Sequence, residues 1–273
     1  MRIALAQLSA STDKASNLRR ALEVTAEAGA AGAALVLFPE CWMACVPPGD
    51  ASLAPIAEPL DGPFVSALAE AARRHRIAVV AGVYEPAPDG ERAFNTVVAI
   101  DGAGDRLGAY RKVHLYDAFG CRESDRIVPG AGETLRFAVD GVTFGVETCY
   151  DVRFPELTRH LAAGGAEVIL LPAAWVHGPL KESHWEVLVR ARAIESTVYV
   201  AACGMAALPF TGCSMLVDPM GVPVARAAEG EALVVGEVDV GRLHAARRTN
   251  PSLDNARPDV YACWLAEAAA VRA

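Results

Sequence analysis

No apolar run in the sequence reaches the roughly 18 residues that would suggest a membrane-spanning helix, although 53% of its 273 residues are hydrophobic. No membrane partner is expected, and the apolar content implies a large buried core. A basic excess is also missing: Asp and Glu number 33 against 25 Lys and Arg, for a formal net charge of −8. Nucleic acid or an anionic lipid surface would need a positive face, so neither is expected, and a small molecule is the expected partner. Paired cysteines are absent. The 7 cysteines, Cys41, Cys45, Cys121, Cys149, Cys203, Cys213 and Cys263, are odd in number and scattered. The opening MRIALAQLSA has no charged region followed by a long apolar stretch, so it reads as a first strand rather than a leader, and a cytoplasmic chain with free thiols is expected. Metal-ligand spacing is lacking as well. Cys41 and Cys45 have no second pair, and His177 and His184 have no acid or thiol at zinc spacing, so no metal site is expected. No linker rich in Gly, Ser or Pro divides the chain, which is read as one domain over 1–273 with 248–273 a C-terminal arm.

What is present alternates between strand-like and helix-like stretches. Ile3 to Leu8 and Ala33 to Phe38 are short apolar runs, while Lys14 to Ala28 places Leu18, Ala21, Leu22, Thr25 and Ala28 at helical spacing. A helix beginning at Asp61-Gly62-Pro63 leads to a strand over Ile77 to Val83. Hairpins follow, one around "DGAGD" and one turning at Asp140-Gly141. The first pattern then resumes: helix Arg153 to Ala163, strand Val168 to Leu171, helix Ser183 to Glu195, strand Val198 to Ala202. Ser183 and Glu186 have capping-box spacing. A last antiparallel portion holds Cys213 to Val217, Val222 to Ala225 and Leu233 to Val238. Two such rounds predict an α/β fold, a four-layer α-β-β-α sandwich with two mixed sheets.

Three polar residues follow buried runs, at the strand ends where α/β sheets place their ligands: Glu40 after LVLFP, Lys112 before VHLYD, and Cys149 in VETCYD. Taken singly, each has an ordinary explanation: a solvated turn carboxylate, an edge charge that discourages strand pairing, a thiol acting as a small hydrophobe. Together they form a complete chemical set. A cysteine ahead of a helix start, with Asp151 as its cap, would have its thiol pKa lowered by the helix dipole. Glu40, its own pKa raised in a poorly solvated crevice, would take the thiol proton. Lys112 and the backbone N–H of Tyr150 would hold the charge of a tetrahedral intermediate.

The contexts LVLFPE, YRKVHLYD and CYDVRFPEL, in this order, resemble the nitrilase superfamily of carbon–nitrogen hydrolases. MRIALAQ, HWEVLVRARAIES, GCSMLVDPMG and RPDVYA extend the resemblance along nearly the whole chain. It implies a homodimer or higher homo-oligomer, no cofactor, and Glu40, Lys112 and Cys149 as base, oxyanion-stabilising cation and nucleophile. Glu123, in GCRESDRIVPG, matches a second active-site glutamate and is assigned to positioning the substrate or Lys112. Trp175 is a candidate pocket wall. The pairing of KVHLYD with CYDVRFPEL is most similar to the branch of ω-amidases and deaminated-glutathione amidases. The implied activity is hydrolysis of a small linear carboxamide through a cysteine thioester, releasing ammonia and a carboxylic acid.

Ser196 and Ala173 stand where that branch often has Asn and Ser, near the expected pocket or its supporting shell. Val46 to Pro59 is read as a pocket-rim loop. His114 is given a structural role, and Arg190, Arg192 and Glu195 are read as salt-bridge formers. The competing activities are nitrile hydrolysis, N-carbamoyl amino acid hydrolysis and, as a non-enzyme, a scaffold of the same fold.

Overall fold

In a computed structural model describing residues 1–47 and 52–272, the period-two pattern of each apolar run decides the layering. Along β1 (Arg2–Gln7), Ile3 and Leu5 enter one core, while Ala4 and Ala6 enter another. The same division holds for Leu35 and Leu37 against Val36 in β2 (Leu35–Leu37), and for Val97 and Ala99 against Val98 and Ile100 in β4 (Ala93–Ile100). One face of this sheet packs on a second sheet and the other on helices α1 (Lys14–Ala30) and α2 (Pro63–His75). Successive strand residues point to opposite faces, so a run apolar on both faces is what a sheet buried on both sides requires.

Among the described residues, each sheet has six strands. The first runs β12 (Ala232–Glu237), β1, β2, β3 (Ala78–Pro86), β4 and β5 (Arg106–Arg111). The second runs β11 (Pro223–Arg226), β10 (Met215–Val217), β9 (Tyr199–Gly204), β8 (Val168–Ala173), β7 (Val142–Val146) and β6 (Leu135–Val139). Strands β1, β2 and β3 pair in parallel, as do β7, β8 and β9, and the outer pairings are antiparallel. The two sheets are therefore mixed and flanked by helices, as expected. Helices α3 (Pro155–Ala163) and α4 (Lys181–Ser196) lie on the second sheet.

Three details differ from the sequence reading. Strand β12 does not stay with β10 and β11 but crosses to the first sheet, where Arg2 pairs with Glu237 and Gln7 with Ala232. Helix α4 begins at Lys181 with no side-chain cap, two residues before the expected capping box, because Leu180 turns the chain through a left-handed conformation (φ 57°). The segment read as an arm is largely helical. Helix α5 (Val240–Thr249), capped by Asp239, runs into it, and α6 (Pro258–Arg272) follows with Tyr261 and Trp264 exposed. Residue 273 of that arm and residues 48–51 of the expected rim loop lie outside the described residues. Among the described residues, no helix is long and apolar enough to cross a membrane.

Candidate active site

Glu40 follows β2, Lys112 follows β5, and Cys149 follows β7, so strand ends from both sheets meet at one edge of the sandwich. Local backbone constraints set their directions. Phe38 N–H donates to the Val80 carbonyl at 2.8 Å, pinning the turn before Glu40. Gly82 on β3 lets that turn approach, since a Cβ there would fall 2.6 Å from the Cys41 backbone nitrogen. Lys112 N–H donates to the Asn95 carbonyl at 2.9 Å, extending the strand pairing by one residue. Cys149 sits at φ 49°, a left-handed conformation that costs a non-glycine residue energy and is found where surrounding structure enforces it.

The enforcing structure is centred on Asp151. Asp151 is fully buried, and its Oδ2 accepts from Thr148 N–H at 3.0 Å and from the Tyr110 hydroxyl at 2.7 Å. Its Oδ1 takes His114 N–H at 3.1 Å and lies 2.8 Å from His114 Nδ1. Asp151 is thus not the helix cap that was expected. It is the third residue of a short 3₁₀ turn, Cys149–Arg153, which it caps from within as the capping-box partner of the flanking Thr148, and α3 starts only at Pro155. His114 braces this turn and stacks on Phe154 with ring centroids 3.7 Å apart.

The sequence-identified polar groups converge. Glu40 Oε1 accepts from Lys112 Nζ at 2.8 Å and from Asn95 Nδ2 at 2.8 Å, and its Oε2 accepts from Ala174 N–H at 2.8 Å. Lys112 Nζ also donates to Glu123 Oε2 at 2.9 Å, which in turn accepts from Tyr116 N–H at 2.6 Å. Glu123 Oε1 takes the same Asn95 amide at 3.0 Å. Two carboxylates and one ammonium therefore share a network whose every member is fixed by a second partner. Cys149 is buried and lines the same cavity as Glu40 and Lys112, whose charges act on its thiol.

The electrostatics reverse two expectations. Burial opposes a charge on Glu40, but Lys112 and the hydrogen bonds from Lys112 and Ala174 outweigh it, leaving the carboxyl below its usual range. Burial and the Glu40 charge push the Cys149 thiol well up. The five-residue turn gives no dipole strong enough to offset them, so the proton of the free site rests on sulfur. Burial also opposes the Lys112 charge, yet Glu123 and Glu40 hold its ammonium well above the ordinary value.

These groups open into a cavity of about 830 Å³, lined by Glu40, Lys112, Glu123, Cys149, Trp175 and Lys181 among others. Trp175 forms a wall, as expected; its Nε1 donates to the Lys181 carbonyl at 2.8 Å. Tyr150 does not contribute its ring to the described lining: the ring packs edge-on against Tyr116 and Phe154, with centroids 5.2 and 5.4 Å away. Its N–H is without an acceptor among the described residues. Of the rim loop, Val46, Pro47 and Leu53 reach the cavity. Ser196 and Ala173 do not. Ser196 is buried at the far end of α4 with its hydroxyl unpaired, and the cavity begins one residue after Ala173, at Ala174.

Sequence reasoning missed Asn95, Ala174 and Lys181. Asn95 carried a signal, because an amide inside the apolar run AFNTVVAI of β4 must find partners when buried. Lys181 carried none while the helix was read from Ser183; only with α4 starting at Lys181 does it stand as a cation in a first turn, where the dipole disfavours it. Ala174 acts through its backbone N–H, which no residue type announces.

Glu147, two residues before Cys149, is a buried carboxyl outside the network. Its Oε2 accepts from Thr158 Oγ1 at 2.6 Å, its Oε1 has no partner, and burial pushes it up to about 8. The folded protein therefore keeps a proton that the unfolded chain releases near 4.5. This contribution to stability is fully present below about pH 4.5 and lost as pH rises through about 8, at up to about 1.4 kcal/mol per pH unit. Glu147→Gln is expected to raise the Tm relative to the parent far more at pH 8.5 than at pH 5. Equal differences at both pH values, by calorimetry, would exclude a protonated Glu147.

Comparison with known proteins places this geometry in context. Residues 2–248 match the family described as carbon-nitrogen hydrolase. A deaminated glutathione amidase of Escherichia coli O157:H7 is 41% identical over 201 residues, covering 74% of this chain and 76% of that protein. The human deaminated glutathione amidase is 33% identical over 275 residues, covering 95% and 83%. Among solved structures, a mutant amidase from Nesterenkonia sp. AN1, showing the result of Michael addition of acrylamide at its active site cysteine, superposes with a TM-score of 0.83. It is 29% identical over 97% of this chain and 99% of that one.

Proposed function

The chain belongs to the carbon–nitrogen hydrolase family and is a hydrolase of carbon–nitrogen bonds other than peptide bonds; from that premise we propose that it cleaves a small linear carboxamide through a thioester on Cys149. The observation that supports this most is that Glu40, hydrogen-bonded to Lys112, lines one cavity with the Cys149 thiol and acts on it electrostatically. In this reading Glu40 takes the thiol proton as sulfur attacks the amide carbon. Because the resting proton prefers sulfur, the transfer is driven by formation of the carbon–sulfur bond rather than by a pre-formed thiolate. Lys112 and the free Tyr150 N–H hold the developing oxyanion. Glu40 returns the proton to the leaving nitrogen, ammonia departs, and a water deprotonated by Glu40 cleaves the thioester to the acid. Glu123 and Asn95 keep Lys112 and Glu40 aligned and are positioning residues.

A homodimer in the cytoplasm completes the proposal. Exposed Ile194, Met220 and Val222 gather around Gly221, whose carbonyl is fixed 2.9 Å from Arg190 Nε, and form an apolar patch suited to self-association.

Ammonia release from a panel of small linear amides, with deaminated glutathione included on the strength of its relatives' names, tests the reaction. Hydroxylamine in the assay is expected to divert part of the product to a hydroxamate, as an acyl thioester intermediate requires. Turnover of nitriles but not amides, or carbon dioxide release from N-carbamoyl amino acids, would replace this reading with one of its competitors.

A further inference from the structure

Glu147 takes no part in the chemistry above, yet it stands directly behind the nucleophile. It is wholly buried at the end of β7, one residue before Thr148 and two before Cys149. Its N–H donates to the Leu170 carbonyl of β8 at 3.1 Å, so the sheet holds its backbone up to the point where the strained Cys149 turn begins. Its side chain is held at one oxygen. Oε2 accepts from Thr158 Oγ1 of α3 at 2.6 Å, and Oε1 is buried with no partner among the described residues.

The charged groups acting on it come from the turn and from α4. Asp151, in the turn, is a second buried carboxyl, and its donors are Thr148 N–H, the Tyr110 hydroxyl and His114 N–H. Arg192 of α4 is also buried, but its guanidinium is engaged elsewhere: Nε donates to the Val152 carbonyl at 2.8 Å and Nη1 to Glu195 Oε1 at 2.5 Å. Burial is the main opposition to a charge on Glu147; Asp151 and Glu195 add to it, and Thr158 and Arg192 offset only part. A protonated Glu147 fits this pocket as a neutral group. The anion would leave one oxygen bare near another carboxylate, which is relieved only if the side chain moves toward water or a donor. That movement would displace the end of β7, and Cys149, at φ 49°, relaxes once its support loosens.

We propose that Glu147 is a positioning residue of this site: neutral, it keeps the end of β7 where the Cys149 thiol faces Glu40 and the substrate, and its ionisation releases the turn and disables the nucleophile. This rests on the amidase reading above. The reacting groups do not titrate in the same range. The Cys149 thiol is pushed well up by burial and Glu40, and the Lys112 ammonium is held well up, against burial, by Glu123 and Glu40.

The test measures kcat and KM between pH 6 and 9.5 on the amide of the panel that wild type hydrolyses with the highest kcat/KM. Wild type is expected to lose kcat reversibly above about pH 8, by about tenfold for each further pH unit as a single ionisation requires, with KM nearly constant. Glu147→Gln, an isostere of the neutral acid, should hold its kcat across that range. Thr158→Val removes a hydrogen bond that favours the Glu147 anion, so its alkaline fall should move to higher pH. Alkylation of Cys149 by acrylamide, read by peptide mass mapping, reports on the nucleophile without turnover. It should slow above about pH 8 in wild type and not in Glu147→Gln, whereas general unfolding would speed it. A wild-type kcat that does not fall, or a fall unchanged in Glu147→Gln, overturns the proposal. Should Glu147→Gln fail to fold, Thr158→Val decides: a fall moved to higher pH supports the proposal, and one that stays or moves lower overturns it. If wild type hydrolyses no amide, the amidase reading fails, and the acrylamide rates alone then decide the role of Glu147: slowing in wild type that Glu147→Gln abolishes supports it, and any other pattern overturns it.

Discussion

Cys149→Ala is expected to reduce amide hydrolysis by on the order of 10⁴-fold or more, the scale seen when a covalent nucleophile is removed from an assembled site. The fold should survive. The thiol is small, its backbone conformation at φ 49° is held by the Asp151 network rather than by sulfur, and Asp151 keeps all its donors in the variant. Removing sulfur leaves Glu40 its hydrogen bonds from Lys112, Asn95 and Ala174. The expected result is a soluble protein with nearly unchanged Tm that binds amides and does not turn them over. Ammonia release and thermal melting measured together decide it: an active alanine variant would remove Cys149 from the mechanism, whatever the stability. Cysteine labelling needs peptide mapping, because Cys263 is exposed and would react as well.

What made the site readable in sequence was that each polar group follows a strand-like run. Glu40 and Cys149 stand shortly beyond strands whose side chains are almost wholly buried, and Lys112 directly beyond the partly exposed β5, so their places relative to the sheets could be inferred from periodicity. Their meeting could not. It depends on two sheets packing face to face, which brings Cys149 from the second sheet to Glu40 and Lys112, themselves 72 positions apart on the first. The resemblance to known sequences supplied that step.

The errors have specific physical origins. Reading Asp151 as a helix cap assumed that the α-helix starts at Arg153. Instead Pro155, which lacks an N–H and favours a first helical position, sets the start of α3, and the preceding residues form a separate 3₁₀ turn. Once that turn is short, the dipole argument for a low thiol pKa fails, and burial beside Glu40 dominates. The shift of β12 to the other sheet was unreadable for a different reason. Leu233, Val234 and Val235 satisfy either sheet equally, and only the partner β1 decides. Lys181 lay before the helix start read at Ser183, and its neighbours Phe119 and Trp175 come from separate segments.

Lys112→Met is the second large effect, and it separates stability from chemistry. The ammonium is 2% exposed and is the cation shared by Glu40 and Glu123, which Asn95 also links. Losing an oxyanion donor alone typically costs on the order of 100-fold or more in rate, so hydrolysis should be nearly lost. Two carboxylates would also remain buried close together without their cation. Breaking one partner of a buried ion pair typically costs about 3–5 kcal/mol, and here the strain is relieved by protonation. The Glu40 carboxyl, held low in the parent by Lys112, would rise above its unfolded value in the variant. A group shifted that way contributes stability below its unfolded pKa and loses it as pH rises through the folded one. The variant's deficit in Tm is therefore expected to be largest at pH 8 and to shrink by pH 5, whereas the parent pair favours the opposite trend. Thermal melting at the two pH values reads this directly. A deficit independent of pH would mean that Lys112 supports the fold by packing alone, and retention of hydrolysis would remove it from the oxyanion site.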